Sequence, residues 1–320
     1  MKSNIKIKVV GVGGSGSNAI SRMAKCKIEG VELIAINTDA QDLAKTKADV
    51  KLRIGRKTTQ GLGAGMNPEI GRKSAIENRQ EILEILKGSD MIFIACGLGG
   101  GTGSGAAPVI AQIAKELGIL TLAVVTKPFS FEGQARLRIA ENAARKLKEN
   151  VDTLISISND KLLSALDPNI PLINAFWVCD DILRQAVQGI SDLILLPGII
   201  NVNFADVKAI MTNAGSALFG VGKAQGEGRA EKAALSAINS PLLDISVKGA
   251  KGVLFNVSGG KDISLSEIDE VAKVITREVN PEAKIIFGAI QDEKPFPRRT
   301  GFGLELKQGE IKVTVIATGF

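Results

Sequence analysis

From residue 5 to about 160, short apolar runs rich in β-branched residues alternate with longer stretches whose apolar positions recur every three or four residues. The runs Ile5 to Val10, Glu32 to Asn37, Met91 to Cys96, Leu120 to Thr126 and Thr153 to Ser158 predict strands. The stretches near Gly16 to Lys27, Pro68 to Lys87, Ser104 to Leu117 and Glu132 to Asn150 predict helices. Strands apolar almost throughout, separated by helices, predict a parallel sheet covered on both faces. Ligands of such sheets bind at the carboxyl ends of the strands.

After residue 171 the pattern changes. Leu172, Phe176, Cys179, Leu183, Ala186, Ile190 and Leu193 fall on one helical stripe with no internal proline, which predicts a single long helix ended by Pro197-Gly198. Beyond it the pattern predicts a smaller mixed unit, with strands near Ser216 to Val221, Gly252 to Val257, Ile285 to Ile290 and Glu310 to Ala317. Helices are predicted near Arg229 to Ile238 and Ser264 to Val279. The expected organisation is α/β: a Rossmann-like parallel-sheet domain over 1–171, a central helix over 172–196, and a smaller α+β domain over 197–320.

Composition removes several chemistries. The 320 residues include no histidine, which excludes a Ser-His-Asp triad, a Cys-His pair, an HExxH zinc helix and an imidazole base. Cys26, Cys96 and Cys179 are too far apart for a CxxC knuckle or redox pair and read as small apolar residues in a reducing compartment. No metal site is expected among the side chains. The 40 basic and 34 acidic residues give a net charge of +6, but the basic residues are dispersed and aromatics are only 4%. An ordinary solvated surface is expected, with no nucleic-acid partner. The N-terminus lacks a signal-peptide pattern and no apolar run reaches the roughly 18 residues that span a bilayer. A cytoplasmic protein without direct membrane insertion follows as an expectation.

Glycine clustering points to the chemistry. Gly11-Val12-Gly13-Gly14-Ser15-Gly16 follows the first strand and opens a helix, a GxGxxG pattern that brings backbone amides to phosphate. Asp39 closes the second strand about 20 residues on, as a ribose-binding acid of an NAD site would. The run 97–105, GLGGGTGSG, carries six glycines in nine residues before another helix. A third stretch, GLGAGMNP at 61–68, also delivers glycines to a helix start. Three such loops at one sheet edge fit a nucleotide with more phosphate than NAD, held by amides, helix dipoles, a cation and an arginine. No Walker-type GxxxxGK[ST] occurs in the chain.

The segments GVGGSGSNA (11–19), NTD (37–39), GLGAGMNP (61–68), GGGTGSG (99–105), TKPFSFEG (126–133), NDKLL (159–163) and PGIINVNFADV (197–207) resemble the FtsZ family of cell-division GTPases in the tubulin superfamily. The resemblance covers essentially the whole chain. It implies GTP and GDP binding with Mg²⁺, head-to-tail protofilaments, hydrolysis completed between subunits, and a place at the division site.

By this resemblance Gly13, Gly14, Ser15 and Gly16, with Gly99, Gly100, Gly101, Thr102 and Gly103, surround the phosphates. Ala64 and Gly65 approach the γ-phosphate. Glu132 and Arg136 contact ribose and phosphate; by spacing alone they are an i,i+4 surface ion pair. Asn159 joins the nucleotide site, Phe176 packs on guanine, and Asn18 and Asp180 read its edge. Asp181 is an alternative reader, and Phe176 is equally placed for the core. A carboxylate suits guanine because it accepts two N–H bonds at once.

The catalytic set implied by the family is Asn201, Asn203 and Asp206, on a loop that enters the next subunit's pocket. The family has an acid at position 203, where this chain has an amide. An amide orients a water but takes no proton, so slower hydrolysis or weak assembly is the alternative expectation. An NAD-dependent oxidoreductase is the distant one. Two further departures are a long connection over 291–309, with Pro295, Phe296, Pro297, Arg298 and Arg299, and an end at Phe320 just after an apolar run. The linker and tail by which the family meets membrane-tethering division proteins are therefore expected to be missing, so either a tail has been removed or the tether is another.

Overall fold

The computed structural model describes residues 5–26, 28, 30–164, 170–196, 198–240, 247–291 and 309–320. In chain order the elements are β1 (Ile7–Val12), α1 (Gly13–Cys26), β2 (Val31–Asn37), α2 (Ala40–Lys45), β3 (Val50–Arg53), α3 (Pro68–Glu77), α4 (Arg79–Leu86), β4 (Met91–Gly97), α5 (Thr102–Glu116) and β5 (Leu120–Lys127). A 3₁₀ turn, Ser130–Glu132, precedes α6 (Gln134–Asn150), β6 (Thr153–Ser158), α7 (Asn159–Ser164), α8 (Leu172–Leu195) and α9 (Phe204–Met211). The remainder are β7 (Gly215–Gln225), α10 (Arg229–Ile238), β8 (Gly252–Gly259), α11 (Leu265–Glu278), β9 (Lys284–Gln291) and β10 (Glu310–Thr318).

The chain forms two compact units, Met1–Gln188 with Met211–Gly215, and Gly189–Ile210 with Ser216–Phe320. In the first, strands run in the order β3-β2-β1-β4-β5-β6, every pair parallel. Ile7 lies beside Val31 on one side and Met91 on the other. Val10, Ile34, Ile92 and Val125 of these strands meet Ala106, Ile110 and Ile113 of α5 and Ala140, Ala143 and Leu147 of α6 in one core. This is the parallel α/β layer the strand pattern implied.

In the second unit, β10 is antiparallel to both β7 and β8, and β9 adds parallel to β8. Alanines 230, 233, 234 and 237 of α10 and Val271, Val274 and Ile275 of α11 cover this sheet. Small alanines let α10 approach closely: a Cβ on Gly222 would lie 2.0 Å from the Ala233 carbonyl oxygen.

Several elements differ from the sequence expectation. The stretch predicted as one helix over Pro68 to Lys87 is two, broken at Asn78, whose Oδ1 accepts the Gly55 amide at 2.7 Å while Nδ2 donates to Glu81. The helix predicted from Glu132 begins after Gly133, whose φ of +100° stops the preceding turn. Glu132 and Arg136 therefore do not share a helical face. The strand β3 and the helices α2, α7 and α9 are too short to show a period, and were not expected. The connection 292–308 and Pro197 lie outside the described residues.

Candidate functional site

The site is built from two helix starts. In the first unit β1 and β4 are parallel neighbours, and each runs through glycines into a helix, β1 into α1 and β4 into α5. The first amides of a helix have no intrahelical acceptor and carry the positive end of its dipole. Asp39, Asn67 and Ser264 cap α2, α3 and α11 with side-chain oxygens, whereas α5 starts with no side-chain cap. Its first-turn donors are thus left for something else, and an anion is what such an arrangement binds.

Glycine lets three loops meet there. At Gly13, with φ +73°, a Cβ would come within 3.0 Å of the Gly103 amide nitrogen. A Cβ on Gly101 would sit 2.7 Å from the Ala64 methyl and 2.9 Å from the Asn67 nitrogen, so loop 61–67 lies directly on loop 97–103. The Thr102 hydroxyl, at the first position of α5, bonds the Thr38 hydroxyl at 2.7 Å.

These loops open on a cavity of about 760 Å³, within the usual range for small-molecule sites. Of the residues singled out from sequence, Gly13, Gly14, Ser15, Asn18, Ala64, Gly65, Gly100, Gly101, Thr102, Gly103, Glu132, Arg136, Asn159, Phe176 and Asp180 line it. Two do not. Gly16 is packed where its Cβ would meet Ala95 O at 2.6 Å and Gly11 C at 2.7 Å, so it serves the close approach of α1 to the sheet. The Gly99 amide donates to the Ser104 hydroxyl at 2.9 Å and is not free for phosphate.

The wall includes residues given no site role from sequence, among them Asn37, Asp42, Thr126 and Cys179. Asn37 Nδ2 donates to Asp42 Oδ2 at 2.7 Å. Burial, then the neighbouring Asp39, push the Asp42 carboxyl above its ordinary value. Asn37 opens the NTD segment at 37–39 without a role of its own there; the signal of Asp42 in the sequence is position alone, just after the carboxyl end of β2. Asp39 is on the wall too, but its Oδ1 accepts the Gln41 and Asp42 amides at 2.9 and 3.0 Å. It is the N-cap of α2, which accounts for the acid that the dinucleotide pattern would have assigned to ribose.

The other end of the cavity is aromatic and acidic. Glu132 pairs with Arg136 across Gly133, and its Oε1 accepts the Phe129 amide at 3.0 Å. Phe176 is neither core nor free surface: it is 40% exposed on the cavity wall, edge-on to buried Phe129 with centroids 5.3 Å apart. Asp180 is buried, and burial pushes its carboxyl up to about 6 despite the opposing charge of Arg22. Asp181, the alternative reader, is off the wall and engaged by Arg184 at 2.6 Å and Gln185 at 2.9 Å. The Asn159 Oδ1 is buried with no hydrogen-bond partner. A buried acceptor left unpaired is costly, and a ligand N–H would relieve it.

The loop 201–206 belongs to the second unit, so Asn201, Asn203 and Asp206 are not on this cavity's wall. Asn203 caps α9, its Oδ1 accepting the Asp206 amide at 2.8 Å, and Asn201 Oδ1 accepts the Gly198 amide at 2.8 Å. Asn201 and Asn203 are exposed and Asp206 half-exposed. Among the described residues no group of three or more acidic or cysteine side chains is arranged to hold a metal ion.

Known proteins share this arrangement. Residues 6–167 match the Tubulin/FtsZ family GTPase domain and residues 215–320 the FtsZ family C-terminal domain. An empty FtsZ dimer from M. jannaschii is 47% identical over 99% of this chain and 89% of its own, with a TM-score of 0.92. A tryptophan-to-tyrosine mutant of the M. jannaschii FtsZ is 48% identical over 98% of this chain and 91% of its own, with a TM-score of 0.91. CetZ1 from Haloferax volcanii, a GDP-bound monomer, shares the fold at 18% identity over 99% of this chain and 94% of its own, with a TM-score of 0.82.

Proposed function

The chain belongs to the tubulin/FtsZ family of GTPases, and from that premise we propose that it binds GTP in the first-unit cavity and hydrolyses it as it assembles head-to-tail for the cell-division ring. The observation that carries the reading is one cavity lined both by anion-seeking amides and by two acceptors, the unpartnered Asn159 Oδ1 and the buried Asp180 carboxylate. Gly13, Gly14, Gly100, Gly101, Thr102 and Gly103 suit the phosphates. Asn159 Oδ1 and the Asp180 carboxylate suit the N–H edge of guanine. Adenine lacks the paired donors that a carboxylate accepts. A dinucleotide reading fits less well, because it leaves the glycine loops at 61–67 and 97–103 without a phosphate to hold.

Phosphoryl transfer depends chiefly on positioning and charge stabilisation, and a site of amides without histidine suits it. Mg²⁺ generally sits between phosphates and one or two carboxylates. Asp39 and Asp42, whose Oδ2 atoms lie 3.7 Å from Cβ positions at Gly63 and Gly14, are cavity carboxylates beside the glycine loops and would hold it. The ion would neutralise charge on the phosphates. Thr102, Gly103 and the other first-turn amides would hold the phosphates in place.

Leu62 and Met66, 86% and 43% exposed on the cavity wall, offer a neighbouring subunit an apolar rim. Asp206 of that neighbour would polarise the attacking water, with Asn203 and Asn201 shaping the loop. The M. jannaschii protein has been seen as a dimer, and CetZ2 from Haloferax volcanii as a GTPγS-bound protofilament. These support a self-associating reading. Among the described residues no helix is long and apolar enough to cross a membrane, and a role at the division site would need tethering partners.

Phosphate release and light scattering, followed together against protein concentration with GTP and Mg²⁺, test the proposal. Specific activity is expected to climb steeply above a threshold at which scattering appears. Flat activity without scattering would replace it with the second reading, a poorly assembling GTP-binding protein slowed by Asn203.

A further inference from the structure

Arg22 lies on α1, between the phosphate-facing start of that helix and its C-terminal end. Its Nη2 approaches Asp180 Oδ2 at 3.3 Å, and its guanidinium carbon sits 4.3 Å from the centre of the Trp177 ring. Ser15 and Asn18 lie seven and four residues before it, on the same side of α1, and both line the cavity while Arg22 does not. The Ser15 hydroxyl donates to the other oxygen of Asp180 at 3.4 Å. One face of α1 therefore grips both oxygens of a carboxylate that belongs to α8. The side chains of Arg22 and Asp180 are only 17% and 11% exposed, and Arg22 Nε is buried without a hydrogen-bond partner. A guanidinium held with one donor unsatisfied has been placed for its charge and its flat stack rather than for its full set of bonds.

We propose that Arg22 is the positioning residue for purine choice: paired with Asp180 and seated on Trp177, it keeps that carboxylate ionised and oriented, so that the site takes guanine over hypoxanthine and adenine. The inference rests on the guanine-nucleotide reading of the cavity and adds to it a residue that touches no nucleotide.

The electrostatics agree with the geometry. Burial raises the Asp180 carboxyl to about 6, with Arg22 and Ser15 pulling it down and Asp181 pushing it up. Cys179 beside it, raised to about 12 by burial, is neutral, and Glu132 acts on that thiol. Among the described residues, Arg22 acts on Asp180 as a cation, through both its charge and its hydrogen bond. An opposite charge at this distance typically lowers a carboxyl by about 1–3 pH units. At pH 7 a carboxyl of about 6 is roughly nine-tenths ionised; raised by one to two pH units it would be about one-half to one-tenth ionised. Apparent affinity falls with the competent fraction, so loss of Arg22 should weaken GDP binding at pH 7 by about 2- to 10-fold.

Calorimetric titration of the whole chain with GDP, IDP and ADP between pH 5.5 and about 9 tests this. IDP lacks the 2-amino group and so reports the second N–H bond to the carboxylate. In the wild type, GDP affinity should fall as pH drops through about 6, and the GDP-to-IDP ratio should fall with it. In Arg22→Met the same fall should occur one to two pH units higher, with affinity recovering at the alkaline end. Arg22→Gln, which keeps reach but loses charge, should do the same and carries the test if the Met variant does not fold. Affinity reduced equally at every pH and for every nucleotide would mean only a structural role and would overturn the inference. A wild type that prefers ADP, or ignores GDP, would instead overturn the guanine reading itself.

Discussion

Gly105→Ala sets two effects of known sign against each other. Gly105 lies in the first turn of α5, where alanine normally stabilises by up to about 1 kcal/mol relative to glycine. Its Cβ, however, would lie 2.0 Å from the Pro68 carbonyl oxygen and 2.7 Å from the Arg72 nitrogen, both backbone atoms of α3. Reciprocally, a Cβ on Gly71 would meet the Gly101 oxygen at 2.3 Å. The two helices touch backbone to backbone, and no rotamer can relieve the clash. Restoring an ordinary 3.4 Å contact from 2.0 Å requires a retreat of about 1.4 Å. Overpacking of this kind costs about 1–3 kcal/mol, and the backbone partner places it at the upper end. After subtracting the helix gain, a net loss of about 2 kcal/mol remains, or about 4–8 °C in melting temperature for a unit of this size. The retreat also moves the start of α3, and with it loop 61–67, away from Gly101. Misplacement by about 1 Å can cost about 10²-fold in rate, so GTP turnover should fall further than stability. Thermal melting and phosphate release read the two effects separately. Gly100→Ala is the control: nothing lies within 4 Å of its Cβ, so it should melt like the wild type while weakening nucleotide binding, because Gly100 is on the cavity wall. If Gly105→Ala melts within a degree of the wild type and turns over normally, close helix contact is not what positions the loops.

Other expectations follow from single groups. Asp206→Ala should lower GTP turnover by about 100-fold or more while leaving GDP affinity unchanged, since Asp206 lies off the cavity of its own chain; loss of GDP binding would reject the arrangement between subunits. Asn203→Asp should raise turnover without destabilising α9, because Asp caps a helix as well as Asn; an unchanged rate would dismiss the amide as the cause of slow hydrolysis. In the nucleotide-free protein the Asp180 carboxyl is raised from 3.8 to about 6, so the folded state binds the extra proton between those values. Stability should therefore fall by up to about 3 kcal/mol as pH rises from about 4 to 6 and level off above. That slope should be missing from denaturation curves of Asp180→Asn. Asn159→Ala should weaken GDP binding by about fivefold, the worth of one hydrogen bond, with little change in melting, since its Oδ1 has no partner to lose.

The parallel layer was legible because β4 is apolar at nearly every position and β5 carries the run Leu122 to Val125 without a polar residue, as strands covered on both faces do. The second unit was legible as a change of pattern. What escaped were elements shorter than the period that would reveal them, such as the six-residue α2 and the four-residue β3. The break at Asn78 escaped because its cause is a distant amide, that of Gly55. At the site, glycine density marked the loops, but not which glycine faces the cavity. Gly13 and Gly16 look alike in sequence; only the carbonyl of Ala95, from another strand, separates the one that lines the cavity from the one that packs. Asp42 carries no motif of its own, and Arg22 has no spacing relation to Asp180, 158 residues away.

That last pair ties the two ends of the cavity together. The helix α1 presents Gly13 and Gly14 to the phosphate end and, about two turns on, holds Asp180 through Arg22. A helix rises about 1.5 Å per residue, so the eight residues from Gly14 to Arg22 span roughly 12 Å, and along them Ser15 and Arg22 each hold one oxygen of Asp180. The side chain that positions the base reader and the amides that meet the phosphates are therefore fixed on one rigid rod. Glycines packed as tightly as Gly11 and Gly16 keep that rod against β1 and β4, so any substitution that lifts α1 from the sheet should disturb phosphate binding and base choice together.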